Sequence, residues 1–146
     1  MKTKPIKTKI KKPRKSYNFN VALLRKVRDV IKTRPRQFQM DYWFDHNNAV
    51  GQRASHCGTA ACIGGWACTI HDEVNPAQML DGSHAYGFET GRHRLRLTIP
   101  QAHRLFLTFR WPGKFSTAYA KAKTAKAAAN AAVDRINHFI KTNGKE

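Results

Sequence analysis

The residues best suited to chemistry lie between positions 54 and 71, in the stretch ASHCGTAACIGGWACTIH. This stretch holds all three cysteines of the 146-residue chain. Cys57 follows His56 and stands just before a helix predicted to begin after Thr59. A helix N-terminus and an imidazolium both lower the pKa of a thiol and favour the nucleophilic thiolate. One hypothesis is therefore a thiol-dependent hydrolase or transferase that uses Cys57 with His56.

Cysteine and histidine side chains also bind metal ions, so a metal site is a second hypothesis for this stretch. Cys68 and His71 are three residues apart and share one helix face, and both are zinc ligands in proteins. Cys57 and Cys68, however, would lie about 15 Å apart along the predicted helix, too far for one ion. The stretch also lacks a Cys-x-x-Cys pair of the zinc-finger kind. We predict neither a metal site nor a cofactor. The alternatives are a site made of Cys68, His71 and two distant histidines, and a Cys57–Cys62 disulfide across the first turn.

The interpretation that best fits the whole stretch is a central core helix. With Thr59 as N-cap, residues 60–71 form about three turns with apolar or small residues on both sides. One side carries Ile63, Trp66, Ala67 and Ile70, and the other carries Ala61, Gly64, Gly65 and Cys68. Each glycine costs about 1 kcal/mol inside a helix, which close approach of a neighbouring helix explains. We expect Trp66 to anchor the core and the cysteines to act as small hydrophobic residues.

The most clearly marked helix precedes this segment. Asn20 is a favourable N-cap, and Pro35 prevents continuation past Arg34. Its apolar residues are Leu23, Leu24, Val27, Val30 and Ile31, and its opposite face carries Arg25, Arg28 and Lys32. The aromatic segment that follows contains Phe38, Met40, Trp43 and Phe44. These residues are predicted to close one end of the core, and the alternative is that they stack on unpaired bases.

The second half of the chain predicts two more helices. One has Thr98 as N-cap and ends at Trp111, with Ile99, Ala102, Leu105, Phe106 and Phe109 on its packed face. The last runs from Ser116 to Lys141 along an alanine-rich stripe, and Lys121, Lys123 and Lys126 could face phosphate. Between these helices and the cysteines, NPAQML is predicted to form a short helix. Weak alternation favours a small β-hairpin near residues 84–98, with Arg92, Arg94 and Arg96 as a basic row.

Charge is the strongest functional signal. The formal net charge is +18, and residues 1–36 hold 14 Lys or Arg against one carboxylate, Asp29. Each phosphate that a cation neutralises releases condensed counterions, so this excess favours a polyanionic partner. Residues 1–16 contain no acid and two prolines, and cannot bury enough apolar area to offset chain entropy. We predict a disordered basic arm over residues 1–16 and one helical domain over residues 17–146.

Other composition signals bear on location. The N-terminus has basic residues but no apolar run of the kind that a signal peptide needs, and no stretch approaches about 18 consecutive apolar residues. Three cysteines, an odd number, do not form a closed disulfide framework. We expect a protein of the cytoplasm, with no membrane span.

The motif CGTAACIGGWA, residues 57–67, carries a family resemblance. It resembles the signature Cys-Gly-Thr-x-x-Cys-[Ile/Leu]-x-Gly-[Trp/His]-Ala of a group of small, uncharacterised bacterial and bacteriophage proteins. The resemblance extends upstream to LLRKVRDVI and downstream from Leu97 to Pro112, and so covers roughly residues 20–140. It implies no catalytic residue, and residues 1–16 stand outside the shared core.

These observations predict a mainly α protein, a compact single domain of four or five helices. The predicted function is sequence-independent binding of DNA or RNA, since no helix-turn-helix, zinc-finger or RNA-recognition signature is visible. The predicted contacts are Lys2, Lys4, Lys7, Lys9, Lys11, Lys12, Arg14, Lys15, Arg25, Arg28 and Lys32. The alternatives are a phage-type adaptor or inhibitor that binds a host protein, and the thiol enzyme that uses Cys57.

Overall fold

The computed structural model describes residues 15–40, 44–45, 60–74 and 88–146. The predicted helix around residues 75–80 and most of the predicted basic arm, residues 1–14, lie outside them. Helix α1 (Val21–Thr33) begins at Asn20 as predicted, because Asn20 Oδ1 accepts a hydrogen bond from the Leu23 backbone N–H at 3.1 Å. It ends before Pro35, which opens a 3-10 turn (Pro35–Gln37).

Helix α2 (Ile63–Asp72) begins later than predicted, and Cys62 rather than Thr59 is its N-cap. The Cys62 Sγ accepts a hydrogen bond from the Gly65 backbone N–H at 3.4 Å. The two residues before it form strand β2 (Ala60–Ala61), which pairs antiparallel with strand β1 (Phe44–Asp45). The prediction of a helix start at residue 60 is therefore wrong, because backbone pairing holds residues 60–61 extended.

The predicted central position of α2 is confirmed. Every residue from Ile63 to Thr69 is buried, and Trp66 is 3% exposed. The Trp66 indole Nε1 donates a hydrogen bond to the Gln37 carbonyl at 3.0 Å. This bond fixes α2 against the Pro35–Gln37 turn.

The β-hairpin predicted near residues 84–98 is wrong for residues 88–95, which form helix α3 (Phe88–Leu95). Residues 84–87 lie outside the described residues. The helix ends at Arg96, whose φ of 55° is left-handed, and the Leu97 N–H donates to the Arg92 carbonyl at 3.0 Å. This reversal buries Leu95 and Leu97 and exposes Arg96 between them. The alternation of apolar and basic residues that predicted a strand is therefore produced by the end of a helix.

Helix α4 (Ile99–Phe106) has the predicted N-cap, strengthened by reciprocal bonds between Thr98 and Gln101. Its predicted packed face is only partly correct. Ala102, Leu105 and Phe106 are buried, whereas Ile99 is 52% exposed and Phe109 is 74% exposed. The helix stops at Phe106 and a 3-10 turn follows (Thr108–Arg110), so the helical spacing no longer applies at Phe109.

The single helix predicted from Ser116 to Lys141 is two helices, α5 (Gly113–Ala120) and α6 (Ala125–Lys141). Thr124 separates them, since its backbone is extended and its Oγ1 accepts a hydrogen bond from the Ala127 N–H at 3.1 Å. A threonine hydroxyl satisfies a free N–H at a helix start and so favours a new helix there.

The architecture is mainly helical and forms one compact domain, as predicted, with six α-helices in the described residues. Helix α1 packs against α2 and α6, α2 packs against α3, and α5 packs against α6. The helices enclose one apolar cluster, to which α2 contributes Ile63 and Trp66 and α6 contributes Ile136 and Phe139.

Candidate nucleic-acid interface

Most of the predicted nucleic-acid contacts of the N-terminal arm precede the first residue that the structure describes. Lys2, Lys4, Lys7, Lys9, Lys11, Lys12 and Arg14 lie outside them. Lys15 lies inside, and its Nζ donates a hydrogen bond to the Lys141 carbonyl at 2.6 Å and stands 5.5 Å from the Tyr17 ring centroid. The basic N-terminal segment therefore joins the domain beside the C-terminal end of α6.

Helix α1 presents its predicted basic face to solvent. Arg25 and Lys32 are exposed, and they share a sector of about 60° with Arg28 at 100° per residue. The Arg28 guanidinium pairs with Asp29 at 2.9 Å. Its Nη1 also donates to Asn137 Oδ1 on α6 at 3.1 Å. The basic side of α1 is therefore exposed to solvent and borders α6 at Arg28.

Helix α6 continues this surface. Lys126 and Lys141 are exposed and lie within about 60° of Asn137 on the helical wheel. Because Asn137 contacts Arg28, the exposed stripes of the two helices are neighbours. Lys15, which precedes α1, bonds to Lys141 at the C-terminal end of α6, so the chain enters α1 from beside that end. We call this surface the α1–α6 basic face, made of Lys15, Arg25, Arg28, Lys32, Lys126 and Lys141.

The second basic row predicted at residues 92–96 does not form. Within α3, the Arg92 guanidinium pairs with Glu89 at 2.7 Å. The Arg94 Nε lies 2.8 Å from Asp72 Oδ1 on α2. Arg96 is exposed beyond the helix end. Arg92 and Arg94 are thus both paired with carboxylates, whereas on the α1–α6 basic face the described ion pair is that of Arg28 with Asp29.

The two described cysteines are unsuited to nucleophilic chemistry. Cys62 and Cys68 are buried free thiols. Burial raises the pKa of Cys62 to about 11, against the opposing effect of the Gly65 N–H bond. Burial, and next the charge of Asp72, raise the pKa of Cys68 to about 12. Both remain protonated at neutral pH. Cys57, the other partner of the alternative disulfide with Cys62, lies outside the described residues.

The cysteine segment also holds the residues predicted for a thiol enzyme and those considered for a metal site. Cys57 and His56, the residues of the thiol-enzyme hypothesis, lie outside the described residues. Cys68 is buried, whereas the His71 imidazole is partly exposed and its Nδ1 lies 2.7 Å from Asp72 Oδ1. Within residues 15–40, 60–74 and 88–146, no group of three or more His, Cys, Asp or Glu side chains could hold a metal ion.

The aromatic residues considered for base stacking are placed in the core where they are described. Phe38 is buried, and its ring lies 6.3 Å from the Tyr119 ring. Met40 is buried, and its backbone N–H donates to Tyr119 Oη at 3.0 Å. Trp43 and the side chain of Phe44 lie outside the described part of the chain. Among the described residues, the exposed aromatic ring is that of Phe109, which was predicted to lie in the core.

Comparison of the chain with protein-family models, curated proteins and solved structures found no match.

A buried arginine on α6 was not anticipated. Arg135 is 0% exposed, and its Nη2 donates to the Arg104 carbonyl at 2.8 Å. Its Nε and Nη1 have no hydrogen-bond partner among the described residues. The guanidinium carbon lies 5.9 Å from the Phe115 ring centroid and 5.5 Å from that of Phe139. Burial lowers the pKa of Arg135 to about 10, so the group stays charged at neutral pH.

The described helices give no sign of a membrane span, as each is too short or too polar to cross a bilayer.

Proposed function

We propose that this protein binds DNA or RNA independently of base sequence, through the α1–α6 basic face and the cationic residues 1–14. The observation that carries the proposal is the pairing of the two basic stripes through Arg28 and Asn137. The sequences of α1 and α6 hold one carboxylate each. Asp29 is paired with Arg28, and Asp134 is exposed at about 60° from Asn137 on the helical wheel, so it adds one negative charge to the α1–α6 basic face.

The dimensions of the face suit a phosphate backbone. Lys126 and Lys141 are separated by about 22 Å along α6 at 1.5 Å per residue. Along the axis of a duplex, each strand advances about 3.4 Å per phosphate, so this length of axis corresponds to roughly six phosphates. Residues 1–14 add seven Lys or Arg and no acid at the end of the face marked by Lys15. Contacts of this kind neutralise phosphates without reading base edges.

We place this activity in the cytoplasm of a bacterial cell or an infected host cell, as the resemblance to bacterial and bacteriophage proteins implies. The buried free thiols Cys62 and Cys68 are compatible with a reducing compartment.

Two charge-matched double variants test the face. R25Q/K32Q removes two cations of the α1–α6 basic face, and R92Q/R94Q removes two cations that are held by carboxylates. Affinity for a labelled duplex is measured from about 50 mM to 200 mM salt, and log K is plotted against log salt concentration. We expect R25Q/K32Q to reduce the slope by up to about 2, and R92Q/R94Q to reduce it much less.

Thermal unfolding of both variants provides the folding control. If the two double variants lose affinity for the duplex to the same extent, the total charge of the protein rather than this face determines binding. If the full-length protein binds no nucleic acid in a salt-dependent manner, the proposed function is wrong.

A further inference from the structure

Phe109 presents its ring to solvent from a rigid position. The ring is 74% exposed, the largest exposure of any large hydrophobic residue described. The Arg110 N–H donates to the Leu107 carbonyl at 2.8 Å, and the Trp111 N–H donates to the Thr108 carbonyl at 3.1 Å. These bonds close the Thr108–Arg110 turn around Phe109.

Trp111 anchors this turn in the core. It is buried, and its Nε1 donates a hydrogen bond to the Leu105 carbonyl at 3.0 Å. Its ring packs edge-on against Tyr119, with centroids 5.6 Å apart. Because the residues on both sides of Phe109 are held by these bonds, its exposure is a fixed feature of the fold.

One cation lies beside the ring. The Arg110 guanidinium carbon lies 5.7 Å from the Phe109 ring centroid. Lys114 is exposed at the start of α5. The sequence from residue 90 to residue 133 contains nine Lys or Arg and no Asp or Glu. A planar apolar ring next to a guanidinium, within a basic stretch of sequence, matches a ligand that is itself planar and anionic.

We propose that Phe109 is a stacking platform for an unpaired base of single-stranded nucleic acid, with Arg110 placed to contact an adjacent phosphate. The inference rests on the proposed nucleic-acid binding and specifies a class of substrate for it. Every base offers a π-face, so stacking on an aromatic ring tolerates any sequence. In a duplex the bases are already stacked on each other, so Phe109 discriminates in favour of single strands and loops.

The test uses the full chain and variants of Phe109. Binding is measured to a labelled single strand of about 12 nucleotides, within the roughly 4–16 that one single-strand-binding surface covers. A duplex of the same length is titrated in parallel. F109A removes the ring, F109L keeps an apolar side chain without a ring, and F109W keeps the ring. I99A is the matched control at the second exposed hydrophobic residue.

We expect F109A and F109L to weaken single-strand binding by about 5- to 150-fold, the range of one stacked base. F109W and I99A should retain the wild-type affinity, and all variants should bind the duplex equally well. The exposed position predicts unchanged thermal unfolding for every variant.

The outcomes separate this inference from the function on which it rests. If F109A and F109L bind the single strand as tightly as the wild type while binding stays salt-dependent, the stacking platform is wrong and the proposed function stands. If F109L binds the single strand as tightly as F109W while F109A does not, the contact is apolar without stacking, which contradicts the inference. If neither polymer binds, both proposals are wrong.

Discussion

Arg28 and Asn137 are 109 residues apart in the chain, and the Arg28 Nη1 donates a 3.1 Å hydrogen bond to Asn137 Oδ1 on the protein surface. The same guanidinium pairs with Asp29. This contact joins α1 to α6 and aligns their lysines and arginines into one face. Because Asn137 is exposed at the contact between α1 and α6, a substitution there changes the charge of the α1–α6 basic face without disturbing the core.

Asn137→Asp should weaken nucleic-acid binding and leave the fold intact. The new carboxylate adds a negative charge to the face and competes with phosphate for Arg28. Exposed ion pairs contribute about 0–1 kcal/mol, so the free energy of unfolding should change little. Asn137→Ala removes the hydrogen bond without adding charge, and should bind nucleic acid nearly as well as the wild type. Fluorescence anisotropy at low salt and chemical denaturation measure the two effects. Equal affinities of N137D and wild type would contradict the assignment of this face.

Deletion of residues 1–14 should reduce the salt dependence of binding more than any change in the helical domain. The deleted segment carries seven Lys or Arg. Each phosphate contact contributes about 0.9 to the slope of log K against log salt concentration, so the slope should fall by up to about 6. A chain that begins at Lys15 keeps the bond from Lys15 to Lys141 and should keep its unfolding midpoint. An unchanged slope would show that residues 1–14 make no phosphate contacts.

Cys62 and Cys68 should resist alkylation until the protein unfolds. Their pKa values are raised to about 11 and about 12 by burial, against 9.0 for a free thiol. Iodoacetamide near neutral pH, followed by peptide mass spectrometry, should label both residues only in denaturant. Rapid labelling of either in the native protein would contradict the described burial. Selective labelling of Cys57 under native conditions is the result that the thiol-enzyme hypothesis predicts.

The same pKa shifts predict loss of stability at alkaline pH. Below about pH 9 the two thiols are protonated in the folded and unfolded chains, and they add no pH dependence. Between about pH 9 and pH 11 the unfolded chain releases protons that the folded chain retains, so these groups destabilise the fold as pH rises. Denaturation midpoints measured across this range should decline, and a Cys68→Ala variant should show a weaker decline. An identical decline in the variant would assign the effect to other groups.

Arg135→Met should leave the protein at least as stable as the wild type. The guanidinium is fully buried, it makes one hydrogen bond, and its pKa is lowered to about 10 from 12.5. The unfolded chain therefore binds the proton more tightly, and the buried charge opposes folding at every pH below about 10. Methionine fills a similar volume without a charge, and such replacements are often neutral or stabilising by about 1–4 kcal/mol.

Arg135→Ala is the matched control for that prediction. It removes the charge but leaves a cavity between Phe115 and Phe139, and large-to-Ala changes in cores typically cost about 2–5 kcal/mol. Urea denaturation should place R135M at or above the wild type and R135A below it. A destabilised R135M would mean that the contacts of the guanidinium with the two rings and the Arg104 carbonyl outweigh its desolvation.

Local signals in the sequence were sufficient for much of the secondary structure. The N-caps at Asn20 and Thr98 were predicted correctly, because capping joins a side chain to a backbone N–H three residues away. The central position of Trp66 followed from apolar residues on both sides of one helix. Where the prediction failed, backbone pairing or a helix end intervened. Because residues 60–61 form strand β2, the N-cap of α2 is Cys62 and the helix begins at Ile63. The left-handed helix end at Arg96 produced an alternation of buried and exposed residues like that of a strand.

The sequence by itself determined that the protein is helical, strongly cationic at its N-terminal end and supplied with a basic stripe on α1. These properties depend on composition and on residues within about four positions of each other. Only the tertiary structure decided that α6 extends the basic stripe, that Arg135 is buried and that Phe109 is exposed. Each of those outcomes depends on which helix faces meet and where a helix stops. Contacts between distant residues, such as that of Arg28 with Asn137, determine this, and no local pattern encodes them.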